Sequence, residues 1–218
     1  MEPEATNEFE APMLRIDYSH GKTIANAPAI FVDRDGVINR RRPGDYVLDF
    51  SQFEFVPGIR AALKQLGSLQ FPMIIISNQA AVGKGLLNAS ELREITGRMR
   101  QILAEDGTVL AAAYYCPHRQ DENCACRKPK PGLLRQAARD FRIDMERSIF
   151  IGDSESDVAA ARAAACQPVL FAPGARNIST SAKWIEDVAI ANTPRELVDV
   201  AFRCLREANS VFGIEDLR

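Results

Sequence analysis

Short apolar runs alternate along the chain with longer segments whose apolar positions recur every three to four residues. AIFVD (29–33), PMIIIS (72–77), SIFIGD (148–153) and PVLF (168–171) are aliphatic or aromatic runs closed by polar residues. Each predicts a short buried strand. VLAAAYY (109–115) predicts another, although its alanines leave a helix open. GIRAALKQLGSL (58–69), NASELREITGRMRQILAEDG (88–107), PGLLRQAARDF (131–141), SESDVAAARAAA (154–165) and TPRELVDVAFRCLREA (193–208) carry helical spacing. Asn88 with Glu91 reads as a capping box, Pro131 stands at a helix entrance, and Thr193 caps the last helix. Strands alternating with helices predict an α/β fold, a Rossmann-like three-layer sandwich around a mainly parallel sheet. Residues 1–27 are polar and weakly patterned and read as an N-terminal extension, leaving 28–218 as a single domain.

Composition narrows the function classes. The 218 residues suffice for one domain with a sizeable core, and the formal net charge of -2 supplies no basic field for nucleic acid. No apolar run is long enough to cross a bilayer. The start, MEPEATNEFEAPM, lacks the basic and apolar stretches of a signal peptide, so a cytoplasmic location is expected, with no membrane partner. Of five cysteines, three fall between positions 116 and 126. In a reducing compartment that clustering points to metal rather than disulfides.

The polar residues that follow the predicted strands carry the chemistry. Open parallel sheets bind ligands beyond the carboxyl ends of their strands. Asp33 and Asp35 follow the first strand, Ser77, Asn78 and Gln79 the second, Cys116 to Lys130 the third, and Asp153, Ser154 and Asp157 the fourth. Residues two apart at a strand end point to one side, so Asp33 and Asp35 can face one bound group. Two close carboxylates require a cation, a shared proton or a compensating substrate. Mg2+ suits carboxylates and phosphate oxygens, and Asp153 completes such a site. A carboxylate can attack phosphorus, with Lys128 and the Ser77 hydroxyl binding the transferred group.

The segment YYCPHRQDENCACRKPKPG holds Cys116, His118, Cys124 and Cys126. Three thiolates and an imidazole fill all four positions of a tetrahedral zinc, which makes the site structural rather than catalytic. Its task would be to fold a long loop and to aim Arg127 and Lys128 at the phosphate site. Cys166 and Cys204 lie in apolar surroundings and read as small buried hydrophobes.

Taken in order, D-x-D-G, I-S-N-Q, C-R-K-P-K-P-G and I-G-D-S-E-S-D resemble the four motifs of the haloacid dehalogenase superfamily of aspartate-based phosphatases. The resemblance covers residues 29 to 171. It implies a capless fold in which Asp33 is the nucleophile and a Mg2+ ligand. Asp35 would be the general acid and then base, with its carbonyl on the metal. Ser77 would hydrogen-bond the phosphoryl group, Lys128 would neutralise charge, Asp153 would bind Mg2+, and Asp157 would cap the following helix or orient the metal shell. The C-x-H…C-x-C loop is similar to that of D-glycero-D-manno-heptose 1,7-bisphosphate phosphatases, and histidinol-phosphate phosphatases share it. This implies a small phosphorylated sugar as substrate, a monomer, and the loss of the C7 phosphate on the way to nucleotide-activated heptose for surface polysaccharide. Arg41, Arg42 and Tyr46, in the segment that resembles the family's substrate loop, join Asn78, Gln79 and Arg127 as candidate substrate contacts. The chain departs from the family pattern at Ala80, Ala81 and Lys84, where lysine keeps the charge but loses the bidentate fork of arginine. These departures bear on the identity of the sugar. Histidinol phosphate is a second substrate reading, and a zinc-stabilised binding module without turnover is a third.

Overall fold

The computed structural model describes residues 13–18, 26–42, 44–174 and 183–210. Seven strands form one sheet: β1 (Leu14–Asp17), β2 (Ile30–Val32), β3 (Met73–Asn78), β4 (Ala112–Cys116), β5 (Ile149–Gly152), β6 (Gln167–Phe171) and β7 (Ala189–Ala191). Their order is β1-β4-β3-β2-β5-β6-β7, and every pairing is parallel except the edge pair β1–β4. β2 lies at the centre, with Val32 opposite Ile75 on one side and Ile151 on the other.

The central strands are buried on both faces, which is why they read as unbroken apolar runs rather than alternating ones. Side chains nevertheless alternate between two cores. Ile30, Val32, Met73, Ile75, Ala113, Tyr115, Ile149 and Ile151 point to the face covered by α1 (Ile59–Gly67), α3 (Ala89–Glu105) and α6 (Pro194–Ser210). Phe31, Ile74, Ile76, Tyr114, Cys116 and Phe150 point to α4 (Gly132–Phe141) and α5 (Glu155–Ala163). The result is the expected three-layer α/β sandwich. The alanine-rich stretch becomes β4 because its two tyrosines serve opposite cores.

The helix starts are set locally. The Asn88 side chain accepts from the backbone of Ser90 and Glu91 while Glu91 accepts from the Asn88 amide, the capping box read from sequence. Thr193 Oγ1 accepts from the Glu196 amide at the start of α6. The connection after β2 holds one 3-10 turn, Phe50–Gln52, and that after β3 begins with a single short helix, α2 (Ala80–Gly83). Neither builds a cap domain.

Two strands were not legible. β1 lies within the expected extension and is four residues long with half-exposed alternation, and β7 has three residues. Residues 1–12 and 19–25 of that extension fall outside the described residues. Among the described residues no helix is long and apolar enough to cross a membrane.

Candidate active site and metal centre

Four strand ends deliver the predicted groups to one edge of the sheet. The β2 turn begins with the Asp33 amide donating to Ile151 O of the neighbouring strand at 2.8 Å, which fixes the backbone of Asp33. The Lys128 ammonium lies 2.8 Å from Asp33 Oδ1 and 2.6 Å from Asp157 Oδ1, and donates to Ile76 O at 3.0 Å. All three donors of the ammonium are thus committed, and the side chain is only 3% exposed. Asn78 locks the backbone of Lys128 from β3, donating to its carbonyl and accepting from its amide.

Asp33, Asp153 and Asp157 are buried together, with ligand oxygens mutually within 4.8 Å. Asp157 does two things. Its Oδ2 accepts from the Asp153 and Ser154 amides and from the Ser154 hydroxyl, capping α5, while its Oδ1 holds Lys128. Arg41 reaches Asp153 Oδ1 at 3.0 Å. Gly36 has φ +103, and a Cβ there would lie 1.9 Å from Asp153 Oδ2, so the turn after Asp35 closes directly on this carboxylate.

The electrostatics show a shortage of positive charge. Burial pushes the Asp33 carboxyl up to about 7, and Asp157, Asp153 and Asp35 add to the rise against the pull of Lys128. Burial opposes the Lys128 charge, yet Asp157 and Asp33 hold its ammonium above the usual lysine range. Three buried carboxylates around one lysine form an oxygen donor set that fits a hard divalent cation. Asp33 and Asp153 could hold such a cation, because Asp157 is already spent on the helix cap and on Lys128.

Asp35 lies beside this cluster on the wall of an open cavity of about 580 Å³. Burial raises its carboxyl, but the Arg34 guanidinium together with hydrogen bonds from Asn39 and Gln79 holds it below the usual range. Arg41, Arg42, Tyr46, Asn78, Gln79 and Lys84 line the same cavity. Its cations are Arg34, Arg41, Arg42 and Lys84, set against Asp35 and Asp45. Arg42 pairs with Asp45 at 2.9 Å, and the Lys84 ammonium sits 5.3 Å from the centre of the Tyr46 ring. Of the expected substrate contacts, Arg127 alone stands elsewhere. It donates to His118 O at 3.2 Å and lines a neighbouring cleft with Lys128, Asn123 and Ser156. Ser77 and Gln79 are buried, with the Gln79 amide on the Ser77 hydroxyl at 3.2 Å.

Sequence reasoning did not single out Arg34, Gly36 or Asn39. Arg34 had a visible signal, a long cation between two aspartates at the end of a buried strand. Gly36 stood in the D-x-D-G motif with no role assigned to it, and Asn39 had no comparable signal.

The Cys/His loop closes as expected into one cluster. Cys126 Sγ lies 3.2 Å from Cys116 Sγ, 3.5 Å from Cys124 Sγ and 3.3 Å from His118 Nδ1. Cys116 Sγ is 3.4 Å from His118 Nδ1 and 3.6 Å from Cys124 Sγ. Ligand-to-ligand edges of roughly 3.5–3.8 Å follow from tetrahedral zinc bond lengths, so these four atoms fit zinc through His118 Nδ1. None of the five cysteines forms a disulfide. The hydrogen bond from Cys126 pulls the Cys116 thiol down to about 5 against its burial, whereas the same contact and burial push Cys126 far up. Gly132 is required beneath the loop, because a Cβ there would lie 2.4 Å from Ala125 O.

The chain is similar in sequence and fold to known proteins. The sequence model of the HAD-hydrolase-like family matches residues 125–199. The D-glycero-beta-D-manno-heptose-1,7-bisphosphate 7-phosphatase of Helicobacter pylori (strain J99) is 41% identical over 138 residues, 63% of this chain and 78% of that protein. The D-glycero-alpha-D-manno-heptose-1,7-bisphosphate 7-phosphatase of Mycobacterium tuberculosis (strain CDC 1551) is 37% identical over 177 residues, 77% of this chain and 93% of that one. The crystal structure of D,D-heptose 1,7-bisphosphate phosphatase from B. bronchiseptica, complexed with magnesium and phosphate, superposes with a TM-score of 0.74 at 31% identity. It covers 83% of this chain and 99% of its own.

Proposed function

The chain belongs to the heptose-1,7-bisphosphate 7-phosphatase family of the haloacid dehalogenase superfamily, and on that footing we propose that it is a Mg2+-dependent phosphatase removing the C7 phosphate of D-glycero-D-manno-heptose 1,7-bisphosphate. The observation that carries the reading is the Asp33–Lys128–Asp157 triad, buried beside Asp153 and opening toward a cavity lined by cations.

In this reading an Asp33 oxygen attacks phosphorus, the bond to the C7 oxygen breaks, and an aspartyl-phosphate forms. Asp35, ionised at rest beside Arg34, takes the proton of a monoanionic phosphoryl group and passes it to the leaving oxygen, then takes one from the water that hydrolyses the intermediate. The Ser77 hydroxyl and Lys128 hold the equatorial oxygens, and the fixed ammonium needs no reorganisation as charge develops. Mg2+, held by Asp33 and Asp153 with the Asp35 carbonyl, supplies charge neutralisation of the phosphoryl group when bound. Arg41, Arg42 and Lys84 receive the second phosphate, with Tyr46 and Asn78 toward the sugar and Arg127 supporting the zinc loop. Zinc on Cys116, His118, Cys124 and Cys126 is structural.

The cations of the cavity favour an anionic second phosphate over the cationic amine of histidinol phosphate. Residues 28–218 act as one domain together with the edge strand β1, which the expected extension contributes to the same sheet. Since a single chain supplies the whole site, the enzyme works as a monomer. Cysteines committed to zinc rather than to disulfides suit a reducing cytoplasm. The test is phosphate release with Mg2+ from the α and β heptose bisphosphates and from histidinol phosphate. Preference for a heptose bisphosphate supports the reading, and preference for histidinol phosphate overturns the substrate while leaving the chemistry.

A further inference from the structure

Arg34 is among the largest fully buried side chains of the molecule, at 1% exposure, and it lies within the catalytic turn. A buried guanidinium costs several kcal/mol in desolvation, and an apolar side chain of similar volume would stabilise a fold at least as well. Its partners show what it does there. Nε and Nη2 donate to Asp35 Oδ1 at 3.3 and 3.0 Å, and Nη2 also approaches Asp35 Oδ2 at 3.0 Å. Nη2 further donates to Gln79 Oε1 at 2.9 Å.

Gln79 continues the chain of contacts. Its amide donates to Asp35 Oδ2 at 2.7 Å and to Ser77 Oγ at 3.2 Å. Asn39 Nδ2 donates to Asp35 Oδ1 at 2.9 Å. Both oxygens of Asp35 are therefore held from the protein side, while the carboxylate remains 28% exposed toward the cavity. Below, the Tyr115 hydroxyl lies in the electrostatic field of Arg34 and is itself fixed at 2.9 Å from Thr96 Oγ1. The framework thus runs from the helix α3 through Tyr115 and Arg34 to the cavity wall.

We infer that Arg34 and Gln79 are positioning residues that set the Asp35 carboxyl and the Ser77 hydroxyl in one rigid frame, fixing the proton donor at the leaving oxygen relative to the group that grips the phosphoryl. The inference rests on the phosphatase reading above, and it moves Gln79 from substrate contact to support. Catalytic groups lose much of their effect when displaced by about 1 Å, and side chains locked by hydrogen bonds are what prevent this. The Arg34 fork does this in a way lysine cannot, because two parallel N–H bonds fix the plane of the carboxylate as well as its distance. Gln79 suits the second role because one amide donates to both catalytic oxygens while its carbonyl accepts from Arg34.

The framework predicts a signature that general loosening would not give. An alkyl phosphate leaves as a basic alkoxide and needs a proton from Asp35, whereas p-nitrophenolate departs without one. Arg34→Lys and Gln79→Leu are compared with the unchanged protein in single-turnover reactions with an alkyl phosphomonoester and with p-nitrophenyl phosphate. Both carry Mg2+. Each variant is expected to lose about 30- to 100-fold in the rate of alkyl phosphate cleavage, while the loss in single-turnover release of nitrophenolate is at least about tenfold smaller, because only the displaced Ser77 grip bears on it. Melting temperature and calorimetric Mg2+ binding are followed in parallel, and Gln79→Leu carries the test if Arg34→Lys does not fold. Equal losses on the two substrates, or no loss on the alkyl substrate, overturn the positioning role. If the unchanged protein itself cleaves neither phosphate, the phosphatase reading fails and takes this inference with it.

Discussion

The Lys128 ammonium stands closer to Asp157 than to Asp33, at 2.6 against 2.8 Å. The lysine proposed to bind the phosphoryl group is therefore anchored by a residue of the helix cap, and local helix chemistry sets the position of the charge. Asp157 spends one oxygen on α5 and the other on Lys128. Replacing it with asparagine preserves the shape and much of the capping capacity but removes the charge partner. Asp157→Asn is expected to cost about 2–3 kcal/mol, below the full cost of breaking a buried pair because Asp33 still faces the lysine. Urea unfolding with an unchanged slope measures this.

Gly36 allows the catalytic turn to close on Asp153, since an added methyl group would overlap that carboxylate. Gly36→Ala should therefore move a metal ligand rather than only strain a turn. Mg2+ affinity is expected to fall by about 10-fold or more, on the scale of other changes that misorient metal ligands. Calorimetric titration with Mg2+ gives the value directly, independent of turnover.

Arg41 links the metal carboxylate to the basic cavity through its contact with Asp153 at 3.0 Å. A half-exposed guanidinium on a metal ligand competes with the metal. Arg41→Gln should tighten Mg2+ binding about two- to fivefold, the equivalent of a partly exposed ion pair, and should raise KM for a bisphosphorylated sugar. A variant that binds Mg2+ more weakly would show that Arg41 assists the site instead.

The two metals should separate by their effects. The four residues proposed to hold zinc sit at the base of the loop that carries Arg127 and Lys128, and Cys116 and Cys126 belong to the core beneath β4. A chelator strong enough to extract zinc should lower the melting temperature by on the order of 10 °C, because a ligand bound only to the folded chain is removed. Withdrawing Mg2+ should stop turnover with a far smaller shift. Elemental analysis should find one zinc per chain.

Much of the fold and the site could be read from the chain, for a physical reason. Doubly buried strands write themselves as apolar runs, and the residues just after them are where an open parallel sheet places its chemistry. That located Asp33, Lys128 and Asp153 at one edge and the four zinc ligands in one loop. β1 was lost because a four-residue edge strand has one exposed face and no long pattern. Arg34 was lost for a different reason. A cation between two aspartates at a strand end is a visible signal, but only the packed structure shows it turned inward under Asp35 rather than toward solvent. The double duty of Asp157 was likewise half visible, since S-x-x-D announces a cap but says nothing about a lysine 29 residues earlier in the chain.

The measurement that bears most directly on the central claim is 31P NMR of heptose 1,7-bisphosphate incubated with Mg2+ and either the unchanged protein or Asp33→Asn. The unchanged protein should convert the C7 phosphomonoester signal to inorganic phosphate while the C1 signal persists, and the folded variant should leave both signals in place. Loss of the C1 phosphate, or continued turnover by Asp33→Asn, would contradict an aspartyl-phosphate mechanism acting at C7.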